Sequence, residues 1–267
     1  MPAQTPPERL LATRRHDEIL QRAGAAGAVG VGELARLFNV SRETIRRDLK
    51  YLAERGRLDI VHGGATRRDA HEPALAQRLA DNAAGKAAIG RRAAALVSDG
   101  MVLLLDCGTT TLAVAHALRD RQGLTVCTTS LAIAQLLCRL PRTRVHLLGG
   151  EVDPTEEATT GIDVLDAIAR FRFDLAFIGG GGLTPEAEIT DYTRAGAEQR
   201  GRMITTAAQA WFVIDHSKFH RLTPVRIPHF AAAAGLITDA PLPPSAAAAL
   251  ARRGLAHLQA GGRNQPP

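Results

Sequence analysis

Between Pro7 and Gly56 the apolar positions recur at helical spacing. From Pro7 to Ala23, Leu10, Leu11, Ile19 and Leu20 alternate with charged residues, which predicts an amphipathic helix ending near Gly24. A second, shorter helix is predicted from Val31 to Phe38. After the turn at Asn39-Val40, Ser41 is placed to cap a third helix through its hydroxyl, in the stretch SRETIRRDLKYLAERG. On a wheel of this helix Ile45, Leu49 and Leu52 fall within about 60° of one another and form its buried stripe. The following RLDIVHGGATRR reads as a short hairpin, or wing, with a turn at Gly63-Gly64.

Farther along, the period changes. A helix containing Lys86, Ile89, Ala93 and Leu96 is followed by short apolar runs, MVLLLD, LTVCT, VHLLGG, DLAFIGGGG, WFVIDHS and GLITD, with helix-forming stretches between them. Such β-α alternation predicts an α/β fold with a mostly parallel sheet covered by helices on both faces. PLPPSAAAALARRGLAHLQA predicts a last helix and an edge strand. The expected organisation is a small winged helix-turn-helix domain over residues 7–68, a linker over 69–85, a larger α/β domain over 86–260 and a frayed tail over 261–267.

Charge separates the two parts. Residues 1–68 hold 13 basic against 8 acidic side chains, whereas residues 69–267 hold 20 against 19. A local excess of this kind points to a polyanion-binding module joined to a nearly neutral domain. Arg42, Arg46, Arg47 and Lys50 spread over an arc of about 140° on the third helix, the width of a face that lies in a DNA major groove. Glu43 lies inside this arc, either as an acceptor for cytosine or as a charge opposing the helix dipole. Lysine occurs only at positions 50, 86 and 218. No apolar run reaches the roughly 18 residues of a membrane span, and the N-terminus has no hydrophobic signal core, so a cytoplasmic protein is expected. Cys107, Cys127 and Cys138 are odd in number and form no C-x-x-C pair, as expected of reduced thiols.

The chemistry gathers at the carboxyl ends of the predicted strands, where open parallel sheets bind ligands. Asp106, Gly108, Thr109, Thr110 and Thr111 place backbone amides and hydroxyls at the start of a helix, near Leu112, an arrangement that suits phosphate. Thr129 and Ser130 repeat the device on the next strand. Gly149, Gly150, Gly180 and Gly181 permit either close approach to a ligand or tight turns. Lys218 supplies a compact positive charge, and Asp191 is a partner for sugar hydroxyls. The histidines, including His216 and His220 at a spacing of four, lack an H-E-x-x-H pattern and are read as loop or surface residues rather than metal ligands. Cys107 is read as a buried strand-end thiol rather than a redox sensor. No cofactor is expected.

VGELARLFNVSRETIRRDLKYLAERGRLDIVHGGA resembles the DeoR family of bacterial transcriptional regulators, and the motifs DCGTTT, TTS, LLGGEV, FIGGGG and DHSKF follow that family's order. The resemblance implies that Ser41, Arg42, Thr44, Arg46, Arg47 and Lys50 face double-stranded operator DNA, with His62, Gly63 and Gly64 in the wing. It also implies a sensing domain similar to phosphosugar isomerases that takes a phosphorylated sugar or polyol. The expectation is a non-enzymatic repressor of a sugar or polyol operon, acting as a homodimer or homotetramer. Three departures stand out: Asp59-Ile60 where many relatives carry a basic residue before the wing turn, Thr129 where asparagine is usual, and the stretch AGAEQRGRMI, where an acid is common near Gly196. A phosphosugar isomerase-like enzyme is the alternative, with Asp191, Glu198 or Asp215 as a base. LLLDCGTTT also resembles the phosphate loop of actin-like sugar kinases, but the helix-forming LAVAHALRD that follows it disagrees with the hairpin of that fold.

Overall fold

The computed structural model describes residues 12–26, 28–55, 57–61, 63–67 and 72–261. The expectations for residues 7–11, Gly56, His62, Arg68 and the tail from 262 lie outside the described residues. The chain divides into two compact units. The first contains α1 (Ala12–Ala26), β1 (Ala28–Gly30), α2 (Val31–Leu37), α3 (Arg42–Glu54), β2 (Leu58–Val61) and β3 (Gly64–Arg67). Asn39 adopts a left-handed conformation, φ 51°, at the turn before α3. Ser41 Oγ then accepts the Thr44 amide at 3.0 Å, which satisfies one of the first-turn donors that the helix itself cannot. Ile45, Leu49 and Leu52 are buried against Ile19, Leu34 and Leu58, so the predicted stripe is the core of this unit.

Strand β1 has no counterpart in the sequence pattern, since three residues are too few to show a period. It pairs antiparallel with β3, which also pairs with β2, and the order is β1-β3-β2. Val61 pairs with Gly64, so Gly64 is already in the strand. A Cβ on Gly64 would stand 2.1 Å from the Val29 carbonyl oxygen, so only glycine lets the two strands approach.

The second unit contains α4 (Leu75–Leu79), α5 (Ala83–Ala94), β4 (Val102–Leu105), α6 (Thr109–Ala117), β5 (Thr125–Thr128), α7 (Leu131–Leu137), β6 (Arg144–Leu147), β7 (Glu151–Asp153), β8 (Ala158–Thr160), α8 (Ile162–Ala169), β9 (Phe173–Ile178), β10 (Gly182–Leu183), β11 (Ile189–Asp191), α9 (Arg194–Thr206), β12 (Ala207–Val213), β13 (Val225–Arg226), β14 (Gly235–Thr238), α10 (Pro244–Arg252) and β15 (Ala256–Gln259). Its main sheet has the order β15-β14-β12-β9-β4-β5-β6, and every pairing in it is parallel. Side chains alternate across the sheet. Leu104, Ala176, Ile178 and Phe212 join α8, α9 and α10 in one core, while Leu103, Leu105, Phe177 and Val213 join α5, α6 and α7 in the other. An antiparallel hairpin, β7-β8, and a small antiparallel sheet, β10-β11-β13, are added to this frame.

Chain order reverses between β4 and β9, because the first strand of the sheet lies between the second and the fourth. A crevice therefore opens beyond their carboxyl ends. Two expectations change. The stretch read as a linker carries α4, whose Leu75 is buried and donates its amide to the Thr155 carbonyl at 3.0 Å. The helix expected near Leu112 starts at Thr109, so the threonines form its first turn instead of a preceding loop.

Candidate functional site

On α3 the basic residues face outward. The Arg47 and Lys50 side chains are 82% and 76% exposed. Their partners are on the same helix: Arg46 and Arg47 reach Glu43 at 3.4 and 4.0 Å, and Lys50 reaches Glu54 at 4.0 Å. Ion pairs this exposed contribute only tenths of a kcal/mol, so phosphates can take their place at little cost. Glu43 thus neutralises neighbouring arginines from the first turn of α3. Ser41 and Arg42 are exposed and Thr44 is half-buried at the amino end of α3, and Gly63 is exposed after the Val61 end of the wing strand. Gly64 is buried and serves the sheet.

The inner side of α3 carries a feature the apolar pattern does not show. Arg15 of α1 donates to Asp48 through Nε at 2.6 Å and Nη2 at 3.0 Å, and His16 Nε2 lies 2.9 Å from the same carboxylate. Burial works to raise the Asp48 pKa, but the hydrogen bonds from Arg15 and His16 outweigh it and hold the carboxyl below its ordinary range. This two-pronged pair fixes α3 against α1 and so fixes the direction in which the basic face points.

In the larger unit the crevice is organised by Asp106, directly after β4. Asp106 Oδ1 accepts the Cys107 amide at 2.9 Å, and Oδ2 accepts both the Gly179 amide at 2.9 Å and Arg200 Nε at 2.8 Å. Asp106 is wholly buried, so it shapes the loops and does not offer its carboxylate to the crevice. Arg200, on α9, also donates to Asp191 through Nη1. Burial opposes the Arg200 charge, yet Asp106 and Asp191 raise its pKa well above the ordinary value. The guanidinium therefore ties the ends of β4, β9 and β11 to α9.

Helix α6 begins at the crevice. Its N-cap, Gly108, has φ 118° and offers no side chain, so the first-turn amides point at whatever occupies the crevice. The Thr111 hydroxyl donates back to the Gly108 carbonyl at 2.9 Å and is buried. Gly108, Thr109, Thr110, Thr111, Gly180 and Lys218 line one small cavity of 30 Å³, together with Glu72, Arg78, Glu156 and Arg200. A neighbouring cavity of 170 Å³ is lined by Asp191, Thr155, Thr159, Gln199 and again Glu72, Glu156 and Arg200. The two adjoin through those shared side chains.

Some predicted residues lie behind the walls. Thr129 and Ser130 are buried: Ser130 Oγ caps α7 by accepting the Ile133 amide at 3.3 Å, and Thr129 Oγ1 accepts Gln199 Nε2 at 3.4 Å. Thr129 thus acts on the crevice through Gln199 and through Thr159, whose amide its carbonyl accepts at 2.9 Å. Gly149, Gly150 and Gly181 line neither cavity. Lys86, one of the three lysines, donates to the Arg78 and Asp81 carbonyls at 2.7 and 2.6 Å, closing the end of α4.

The missed residues are charged and distant in sequence. Arg78 bridges Glu72 at 2.7 Å and Glu156 at 2.6 Å, and Lys218 Nζ stands 3.6 Å from Glu72. Burial and then the charge of Glu72 push the Glu156 pKa up to about 7. Burial likewise pushes the Cys107 thiol well up, which agrees with the reading of an unreactive thiol. His216 Nδ1 lies 2.6 Å from Asp239 Oδ2, just beyond the end of β14. Among the described residues no cluster of three metal-binding side chain types occurs, and no helix is long and apolar enough to cross a membrane.

Comparison with known proteins accounts for both units. Residues 15–71 match the DeoR-like helix-turn-helix domain, and residues 81–240 match the DeoR C-terminal sensor domain. The glycerol-3-phosphate regulon repressor of Escherichia coli K12 is 32% identical over 234 residues, covering 87% of this chain and 93% of that protein. The HTH-type transcriptional repressor CsqR of the same organism is 32% identical over 233 residues, covering 87% of this chain and 89% of its own. Among solved structures, ribose 5-phosphate isomerase A from Methanocaldococcus jannaschii aligns over 52% of this chain and 55% of its own, at 18% identity and a TM-score of 0.37. With a helix-turn-helix unit and a sensor unit both matched, and repressors aligned along most of its length, the chain belongs to the DeoR family of transcriptional regulators.

Proposed function

We propose that this chain represses a sugar or polyol catabolic operon by binding operator DNA through α3 and the wing, and that a phosphorylated sugar or polyol releases it. The observation that carries the reading is the crevice at the sheet reversal, where the open first turn of α6 converges with Lys218 and Arg78 on one small cavity. Backbone amides at a helix start and two cations favour a phosphate over a neutral group. The adjoining cavity, with Thr155, Thr159, Gln199 and Asp191, offers hydroxyl, amide and carboxylate groups suited to a polyhydroxylated tail. The relatives named as repressors, one of a glycerol-3-phosphate regulon, agree with this ligand class.

Catalysis is disfavoured by the state of the candidate bases. Asp191 is engaged by the buried Arg200 guanidinium, which also holds Asp106. Glu198 lines a different cavity, beside Leu165 and Arg202. Asp215 Oδ1 accepts the Ser217 amide at 3.1 Å and Asn82 Nδ2 at 3.1 Å, while its Oδ2 is buried without a hydrogen-bond partner among the described residues, so Asp215 is the one candidate its contacts do not remove. The protein acts in the cytoplasm as a homodimer or homotetramer, since one winged helix makes too few contacts to select an operator and paired half-sites multiply them.

The test is anisotropy titration of a duplex carrying the protein's own promoter region, without and with a panel of phosphorylated polyols and sugars headed by glycerol 3-phosphate. One member of the panel should weaken DNA binding about 5- to 150-fold, the usual range for such coupling. Failure to bind the duplex at low salt would remove the repressor reading. Binding that no phosphoester alters would remove the sensing half.

A further inference from the structure

The anion cavity is already occupied by an anion of the protein itself. Glu72 Oε1 lies 2.7 Å from Arg78 Nη1 and 3.6 Å from Lys218 Nζ, and its side chain is only 14% exposed. Arg78 spends its other terminal nitrogen on Glu156 at 2.6 Å. What remains beside the first turn of α6 is 30 Å³, room for about one or two waters and not for a phosphate. The cations that suit a phosphate are thus paired with carboxylates, and the space is filled by the same groups.

We infer that Glu72 is an internal competitor for the phosphate site, which holds Lys218 and Arg78 until an effector phosphate displaces its carboxylate and so frees the segment it belongs to. This rests on the phosphoester reading above and deepens it. Two like charges do not share a small, partly buried site without cost, so phosphate entry and Glu72 occupancy exclude each other. Glu156 differs from Glu72, because its raised pKa lets it remain beside a phosphate as the neutral acid. Glu72 is therefore the group that leaves.

Its place in the chain gives the displacement a consequence. Glu72 follows the last residue of β3 by five positions and precedes α4, whose first amide is tied to the Thr155 carbonyl. It lies on the stretch through which the DNA-reading unit is tethered to the sensor. Releasing Glu72 removes one of the contacts that hold this end of the stretch, beside the Pro73 carbonyl, which accepts Arg78 Nε at 2.8 Å, and the Leu75 amide. The glutamate thereby serves both as a threshold, which keeps weak anions out, and as the first moving part of the switch.

The experiment uses the full chain and inorganic phosphate as probe. Glu72→Gln keeps the shape and removes the competing charge, so phosphate measured by calorimetry should bind about tenfold more tightly than to the parent protein. Glu72→Asp, which draws the carboxylate back by one methylene, should move in the same direction by less, and it serves where the amide destabilises the cluster. Hydrogen exchange on the unmodified protein supplies a readout free of mutation: phosphate should speed exchange across residues 72–75. Equal or weaker phosphate binding by both variants, with phosphate still bound by the parent, overturns the inference and leaves the phosphoester reading standing. Phosphate-induced protection of residues 72–75 also overturns it. Failure of parent and variants alike to bind phosphate or any phosphoester overturns both.

Discussion

Arg200→Met removes the cation that joins Asp106 to Asp191 and replaces it with an apolar side chain of similar reach. The arginine side chain is 9% exposed, and its two carboxylate partners are 0% and 4% exposed, so water cannot take over its role without opening the crevice. Removing one partner of a buried ion pair costs about 3–5 kcal/mol, because the remaining charge is left uncompensated. Two carboxylates are left here, and Asp106 keeps only the Cys107 and Gly179 amides. For a unit of this size each kcal/mol lowers the melting temperature by about 2–4 °C, so the sensor transition should fall by about 6–20 °C. Scanning calorimetry on the full chain measures it. Arg200→Lys should recover little, since a single ammonium cannot replace a fork that serves two acids. Adding Asp106→Asn and Asp191→Asn to Arg200→Met should restore much of the loss, because no buried charge then lacks a partner. A drop smaller than about 2 °C for Arg200→Met, against the 2–4 °C that each kcal/mol is worth, would refute the reasoning. It would mean that the carboxylates are solvated or protonated in the native protein.

Two further outcomes follow from the same geometry. Arg46→Ala should weaken operator binding about tenfold and reduce the slope of log affinity against log salt by about one; its 3.4 Å contact with Glu43 is exposed, so calorimetry should show an unchanged melting temperature, and unchanged DNA affinity would displace α3 from the interface. Glu156 has an ordinary pKa of 4.5 and titrates here at about 7, so the folded protein holds a proton that the unfolded chain releases, and this group's contribution to stability falls as pH rises from about 4.5 through about 7. The charged groups facing it are Glu72, which raises it, and Arg78 and Arg200, which lower it, and the Cys107 thiol stands 3.8 Å from its Oε2. A bound phosphate adds negative charge and favours the protonated form further. Above pH 7 a phosphomonoester, with its second pKa near about 6, is already a dianion, so effector affinity should fall between pH 7 and 8.5 on account of Glu156 alone. Calorimetry in buffers of different ionisation enthalpy should show proton uptake, lost in Glu156→Gln; equal profiles for both proteins would exclude the coupling.

What could be read from the chain without its structure was whatever repeats or stays local. Ile45, Leu49 and Leu52 recur within one helix, the Ser41 cap bonds three residues ahead, and the strand-end threonines are contiguous, so each leaves a mark in the order of residues. The alternation of short apolar runs with helix formers carries the sheet, and the final helix and edge strand fall where PLPPSAAAALARRGLAHLQA placed them. Strand β1 and helix α4 escaped because they are three and five residues long, below the length at which a period shows. Thr129, Ser130, Gly149, Gly150 and Gly181 were placed at the crevice because they end strands. That criterion puts a residue at the right level of the sheet but does not say which way it faces.

The charged framework escaped for a different reason. Arg15 and Asp48 are 33 residues apart, Arg78 and Glu156 are 78 apart, and Arg200 and Asp106 are 94 apart. A buried ion pair imposes no spacing on the chain, and each member taken alone resembles one more solvated charge. The near-neutral balance of the larger domain conceals the last two pairs, because opposite charges that meet inside cancel in any count along the sequence. The same cancellation lets a phosphate site contain carboxylates. On the reading proposed above, Glu72 holds Arg78 and Lys218 until a phosphate displaces it, while Asp106 and Asp191 keep Arg200 in the frame. A sensor of the proposed kind would discriminate by exchange, since an incoming phosphoester must make better contacts than a carboxylate already in place. A bare anion of lower charge or fewer acceptors fails that comparison, whereas a phosphate bearing a hydroxylated tail gains the second cavity as well.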